Sequence, residues 1–444
     1  MQIRKKVWCA LIAATCLSFS ARAQKVEFTE YDLPNGLHVI LHTDHHAPVV
    51  AVSVMYHVGS KNEVAGRTGF AHFFEHLLFE GSDNIKRGQF MKIVSANGGT
   101  NNANTTQDRT FYFEVFPSNY LETGLWLESE RMMHPVINDI GVKTQDEVVK
   151  EERRQSFDNR PYGNFINIVA RDLFTAHPYH NGVIGEMKDI DAAKLDEFKQ
   201  FFKQYYVPNN AVLTIAGDID PIKTRALTSS YFGPIPGGPA VVYHKTEEPP
   251  LSKPIVDTFY DANTQIPLIA VAYRVPGRDS RDAKVMQMIS NILSQGGSSR
   301  LYKKMVDDKK EALQVLAFNY SLEDYGMYII GALPNNGAAP DVLKKDIDDE
   351  IVKLQTELIS QEDYDKLENQ MEDNYVNANS RQIGIAEHLA DGYTFDHKHT
   401  NDLNEELAVY KSITREEIKD AAKKYLDANQ RLVLYYLPGK AKAK

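Results

Sequence analysis

Residues 72–76 read His-Phe-Phe-Glu-His. On a helix, positions four apart share a face, so His72 and His76 stand one turn apart and can grip a single zinc ion. Glu75 follows His72 by three positions and flanks the same face. There its carboxylate can take a proton from a water at the metal without being a ligand. Phe73, Phe74 and Leu77 cover the remaining faces and would bury the helix in dry, apolar surroundings. A catalytic zinc takes three protein ligands and leaves one position open. An acidic helix read over Thr144–Phe157 offers Glu147, Glu151 and Glu152. Spacing does not choose among them, and the same carboxylates would otherwise form a solvated face paired with Arg153 and Arg154.

The elements that must position these groups follow from pattern. A strand over Gly36–His42 follows the turn Pro34-Asn35-Gly36, and a second covers Val49–His57. Helices are predicted over Thr68–Phe79, Gly88–Ala96 and Tyr120–Met133, with strands over Thr110–Phe116 and Ala211–Ala216. The run Gly233–Pro239 holds three prolines and three glycines in seven residues, which neither a helix nor a central strand tolerates. Beyond it the plan repeats. Pro48–Val54 has a counterpart in Pro267–Tyr273, and Ala211–Ile215 in Arg431–Tyr435. The expectation is an α+β chain of two similar domains from internal duplication, each a mostly antiparallel sheet packed with helices. A metal-binding domain would span 24–235, a linker 236–250, a second domain without a metal site 251–438, and a solvated tail 439–444.

The length of 444 residues calls for two or three domains. A net charge of −10 without a basic block argues against a nucleic-acid partner. Arg4, Lys5 and Lys6 precede an apolar stretch, Val7–Phe19, and then Ala21-Arg22-Ala23. This is the pattern of a cleaved export signal over residues 1–23, with Gln24 as mature start and the periplasm as destination. Acylation at Cys16 is the alternative, and with it membrane association, although Thr15 is a poor residue before an acylated cysteine. Both cysteines, Cys9 and Cys16, fall in this segment. The mature chain would then hold metal through His, Asp or Glu alone.

Several motifs together resemble the pitrilysin, insulin-degrading enzyme and mitochondrial processing peptidase family, the inverzincins. They are Asn35-Gly36-Leu37, Gly69–Phe79 around the two histidines, Gly98-Gly99, Asn102-Ala103-Asn104-Thr105, Val148-Val149-Lys150-Glu151-Glu152, His177-Pro178-Tyr179 and Gly217-Asp218. The resemblance implies a metallopeptidase LuxS/MPP-like fold and a zinc endopeptidase with one zinc ion per chain. It implies that the third ligand is Glu152, 76 residues after His76, with Glu151 a neighbour only. Glu75 would be the general base. Asn102, Ala103 and Asn104 would lie on an edge strand to which a peptide substrate adds by backbone hydrogen bonds. The family often has a Glu seven residues before the third ligand, orienting the metal-binding histidines. Gln145 stands there, so Glu147 is expected to take that role.

One family feature is missing. An Arg and a Tyr seven positions apart, after a Ser-Arg-Leu segment, usually complete the site. The segment is present in Gly296–Tyr302, but the Arg position falls at Val306 and the Tyr position at Leu313. Arg300 and Tyr302 resemble structural residues of the family. The resemblance therefore implies a homologous partner chain supplying the Arg and Tyr, or a homodimer. The competing expectation is a non-catalytic peptide-binding or assembly subunit.

Overall fold

The structure, a computed structural model, describes residues 25–335, 337–396 and 398–439. The export signal read over 1–23 and the tail from 440 onward lie outside them. The N-terminal half builds a six-stranded sheet from β1 (Thr29–Asp32), β2 (His38–Thr43), β3 (Val49–Tyr56), β4 (Thr100–Thr105), β5 (Thr110–Pro117) and β6 (Ala211–Gly217), ordered β1-β2-β6-β3-β5-β4. The C-terminal half builds five strands from β7 (Ile255–Asp261), β8 (Leu268–Pro276), β9 (Ala312–Ser321), β10 (Tyr325–Pro334) and β11 (Arg431–Pro438), ordered β7-β11-β8-β10-β9. Without β1 the two orders are the same. Each sheet has one parallel pair, β2 with β6 and β7 with β11, and is otherwise antiparallel. The matched sequence runs fall on β3 and β8 and on β6 and β11, which are equivalent strands. No helix or strand lies between Phe232 and Ile255 apart from an irregular connection.

Alternation decides what each face of a strand meets. In β3, Val50, Val52 and Val54 face the helices of their own half, while Met55 faces the other way. In β8, Ile269, Val271 and Tyr273 face their own helices, and Leu268, Ala270 and Ala272 the opposite layer. That opposite layer is exchanged between the halves. The helix Phe165–Leu173 of the N-terminal half packs Phe165, Ile168, Val169 and Leu173 onto Ala270, Ala272, Met327 and Leu434 of the second sheet. Reciprocally, the helix Gln382–Phe395 packs Ile385, Leu389 and Phe395 onto Ile40, Met55, Phe111 and Val212 of the first. Each large apolar side chain buried this way contributes about 1.5–3 kcal/mol, so parting the halves exposes a substantial apolar layer.

All four expected helices differ in their bounds, two of them only slightly, at Phe90–Ala96 and Leu121–Met133. The metal-motif helix is Phe70–Leu77. The acidic helix is Asp139–Arg153: it starts early because the Asn138 side chain accepts the Gly141 amide at 2.9 Å, and it gives way to a π-helical turn at Arg154–Asp158. No helix among the described residues is long and apolar enough to cross a membrane.

Candidate metal centre

The metal-motif helix is fixed on its aromatic side. Phe70, Phe73 and Phe74 are buried against Phe198 and Phe201, with Phe70 stacked on Phe198 at 4.6 Å. Tyr112 Oη donates to the Phe74 carbonyl at 3.0 Å. Its N-terminus is fixed by acidic side chains whose oxygens accept from unpaired helix amides. Glu63 accepts from the Gly69 amide at 2.8 Å and from the Ala71 amide at 2.9 Å. Burial, reinforced by the nearby Asp189 charge, pushes the Glu63 carboxyl up to about 8 despite those amides. Asp189 accepts from the Thr68 hydroxyl at 2.6 Å. Gly185 abuts this entry so closely that a Cβ would lie 2.3 Å from the Gly69 nitrogen.

Two further contacts set the acidic helix beside it. Leu77 reaches to within 3.3 Å of where a Cβ on Gly141 would stand. At the other end Arg153 donates to the carbonyl of Gly185. The Glu152 carboxylate consequently lies between the imidazoles, 3.5 Å from His72 Nε2 and 3.0 Å from His76 Nε2. Hydrogen bonds from His72 and His76 hold its carboxyl well below the usual range. All three ligand atoms fall within 4.8 Å of one another, the one such group among the described residues. Imidazole nitrogens and a carboxylate oxygen are the donors that zinc takes, so this donor set fits the ion in chemistry. His72 is nearly buried, whereas the Glu152 side chain is 37% exposed, which leaves the centre open on one side.

Glu75 accepts from Thr105 Oγ1 at 2.6 Å. Thr105 ends β4, and β4 pairs with β5 alone, so its outer edge is unpaired by any strand among the described residues. Ala103 is buried and Thr105 turns to Glu75, whereas Asn102 and Asn104 project exposed from the opposite face. The Asn104 side chain is held by Arg109 at 2.6 Å. The edge thus offers peptide backbone next to the metal helix.

Other expected residues lie elsewhere. Glu147 does not reach the histidines: its side chain is 73% exposed and stands 3.9 Å from Lys150. It projects from a different helix face than Glu152. Gln145 donates to Glu80 at 2.5 Å, and His72 Nδ1 is buried with no hydrogen-bond partner among the described residues. Glu151 pairs outward with Arg154 and Gln155. In the C-terminal half Arg300 pairs with Asp363 at 3.2 Å, Val306 packs against the second core, and Leu313 is an exposed apolar residue on β9. Sequence reading missed Glu63 and the Thr105 contact. An acid shortly before a glycine-started helix hints at the first, and no local pattern signals the second.

Known proteins bear out the resemblance. Residues 38–186 match the profile of "Insulinase (Peptidase family M16)", and residues 192–371 that of "Peptidase M16 inactive domain". The zinc protease PqqE of Helicobacter pylori is 30% identical over 384 residues, covering 86% of each chain. This chain belongs to the M16 peptidase family. An uncharacterized zinc protease of Mycobacterium leprae is 27% identical over 70% of each chain. Among solved structures, a Helicobacter pylori protease superposes with a TM-score of 0.88 at 29% identity, over 93% of this M16 chain and all of that one. Pitrilysin shares the fold, with a TM-score of 0.77 at 16% identity over 96% of this chain but 47% of its own.

Proposed function

We propose that this M16 chain is a zinc-dependent endopeptidase or oligopeptidase acting on peptides or unfolded segments, as the metal-bearing subunit of a pair. The observation that carries the reading is the gathering of His72, His76 and Glu152 ligand atoms within 4.8 Å, beside Glu75 and an open strand edge. His72, His76 and Glu152 would hold one zinc ion per chain. Bound there, zinc supplies Lewis acidity, polarising the scissile carbonyl and acidifying the attacking water.

The chain's own residues do the rest. The β4 edge takes an extended peptide by main-chain hydrogen bonds, which ask little of its sequence. Glu75, held by Thr105, removes a proton from the water as it attacks and delivers it to the nitrogen that leaves when the peptide bond breaks. Glu75→Gln is expected to abolish hydrolysis of an unfolded peptide while retaining one zinc per chain. Hydrolysis undiminished in that variant would sink the assignment.

Pairing is inferred from Val306 and Leu313, which cannot donate to a developing oxyanion. Loss of one such donor typically costs about 100- to 1000-fold. A homologous chain, or a second copy, would supply the Arg and Tyr. Pitrilysin, about twice as long at the same fold, gives this reading support at the level of architecture. Full activity of the purified chain as a monomer would remove the need for a partner. Export to the periplasm is proposed on the N-terminal sequence pattern, and mass spectrometry of the mature N-terminus tests it. The profile of the inactive domain over residues 192–371 favours one second reading, a non-catalytic peptide-binding or assembly subunit. The Glu75→Gln comparison separates the two, since a binding subunit has no hydrolysis to lose.

A further inference from the structure

The turn joining β4 to β5 is gripped from both halves, and the grip centres on Asp108. Its carboxylate is only 5% exposed. On Oδ1 it accepts Tyr179 Oη at 2.6 Å and meets Lys61 Nζ at 3.0 Å, and on Oδ2 it accepts the Glu323 amide at 2.9 Å. Tyr179 Oη in turn accepts the Asp324 amide at 3.0 Å. One carboxylate thus joins residues 61 and 179 of the N-terminal half to the 323–324 corner of the C-terminal half. The backbone of the turn is tied down too. Ser60 N and Lys61 N donate to the Thr106 and Gln107 carbonyls, and Thr106 N to the Arg109 carbonyl. Thr105, three residues before Asp108, is where this fixed turn enters β4, and its hydroxyl holds Glu75 at 2.6 Å.

We propose that Asp108 is a positioning residue for the peptidase reaction, holding Thr105, and through it the Glu75 carboxylate, in register with the C-terminal half. The inference rests on Glu75 being the general base. It gives the half that carries no metal ligand a part in the chemistry. A buried carboxylate with several donors from separate elements has one satisfied geometry. Losing it frees the turn, while the histidines, fixed by the aromatic layer and Glu63, stay in place. A base displaced by about 1 Å costs up to about 100-fold in rate.

The test is a cycle of Asp108→Asn, Thr105→Val and the double variant, each assayed on an unfolded peptide with zinc content measured. Asp108→Asn should lower kcat about 10- to 100-fold, with KM within about threefold and zinc retained. The double variant should be no slower than Thr105→Val alone, because both changes release the same contact. Multiplicative losses, or a loss confined to KM or to zinc content, overturn the proposal. If Asp108→Asn does not fold, Tyr179→Phe removes one donor and enters the same cycle. Amide hydrogen exchange gives a readout independent of activity. Residues 105–109 should exchange about 10-fold faster in the variant, with the metal-motif helix unchanged. Equal exchange overturns the proposal even where hydrolysis is absent. An inactive wild-type pair, or an active Glu75→Gln variant, overturns the peptidase reading instead.

Discussion

Glu152 Oε2 lies 3.0 Å from His76 Nε2, although the residues belong to different helices and stand 76 positions apart. Both are held by contacts outside the centre, so the ligand set is preorganised. Glu152→Ala should lower bound zinc from one per chain to none after dialysis and remove hydrolysis with it. Glu151→Ala, one position away but facing Arg154, should leave both unchanged. Metal analysis of the two proteins decides the matter. Equal zinc in both would refute the assignment of the third ligand.

Glu63 caps the same helix from outside. Its side chain accepts from two amides at the helix start, and losing a capping side chain costs about 0.5–2 kcal/mol. Glu63→Ala is therefore expected to destabilise the fold by about that amount. It should also weaken zinc retention, because His72 follows one residue after the capped Ala71 amide. Denaturant unfolding and zinc competition measure the two effects. A variant that loses stability but keeps its zinc affinity would separate the cap from the metal site.

Beneath the helix, Arg131 Nη2 lies 3.1 Å from both Glu114 Oε1 and Glu128 Oε1, and all three side chains have no exposure. The guanidinium also sits 4.3 Å from the ring centres of Phe79 and Tyr112. Burial and the Glu128 charge raise the Glu114 carboxyl. Arg131→Met strands a buried carboxylate, and breaking such a pair costs about 3–5 kcal/mol. Glu114→Gln keeps the shape, removes the group whose charged form burial disfavours, and leaves Glu128 beside Arg131, so it should cost far less. Similar unfolding midpoints for the two variants would contradict this difference.

The parts legible in sequence are those where local pattern and burial coincide. β3, β6, β8 and β11 are central strands buried on both faces, so they read as apolar runs and reveal the duplication. The metal helix declares itself through two histidines at one-turn spacing amid aromatics. Glu152 is different. Glu147, Glu151 and Glu152 each sit on a plausible helix, and the choice depends on where Gly141 meets Leu77, a tertiary fact that only the family resemblance anticipated. The same ignorance misassigned Glu147, whose helix face turns to solvent. β4 carries Asn and Thr without apolar alternation because an edge strand has one partner to bury against. The exchanged helices show an apolar face, but a face does not name the sheet that covers it.

The junction of the halves makes stability depend on acid pH. Asp324 meets His177 at 3.1 Å and Lys61 at 3.5 Å, and Glu323 meets His57 at 2.8 Å and also pairs with Lys61. Asp108 and Tyr179 complete the cluster. Burial alone would raise both carboxyls. The histidine hydrogen bonds and the Lys61 charge outweigh it and hold Glu323 and Asp324 below their ordinary values of 4.5 and 3.8. A carboxyl that titrates lower folded than unfolded contributes its stability above the unfolded value, and that contribution is lost as pH falls through the folded one. The stability contributed by these two groups should therefore be full from pH 7 to about 5 and decline below about 4.5 as they take up protons. Asp324→Asn cannot titrate, so it should be less stable at pH 7 and show a shallower decline between pH 5 and 3. Thermal unfolding of both proteins across that range reads the difference, and parallel curves would mean that the acid sensitivity resides elsewhere in the fold.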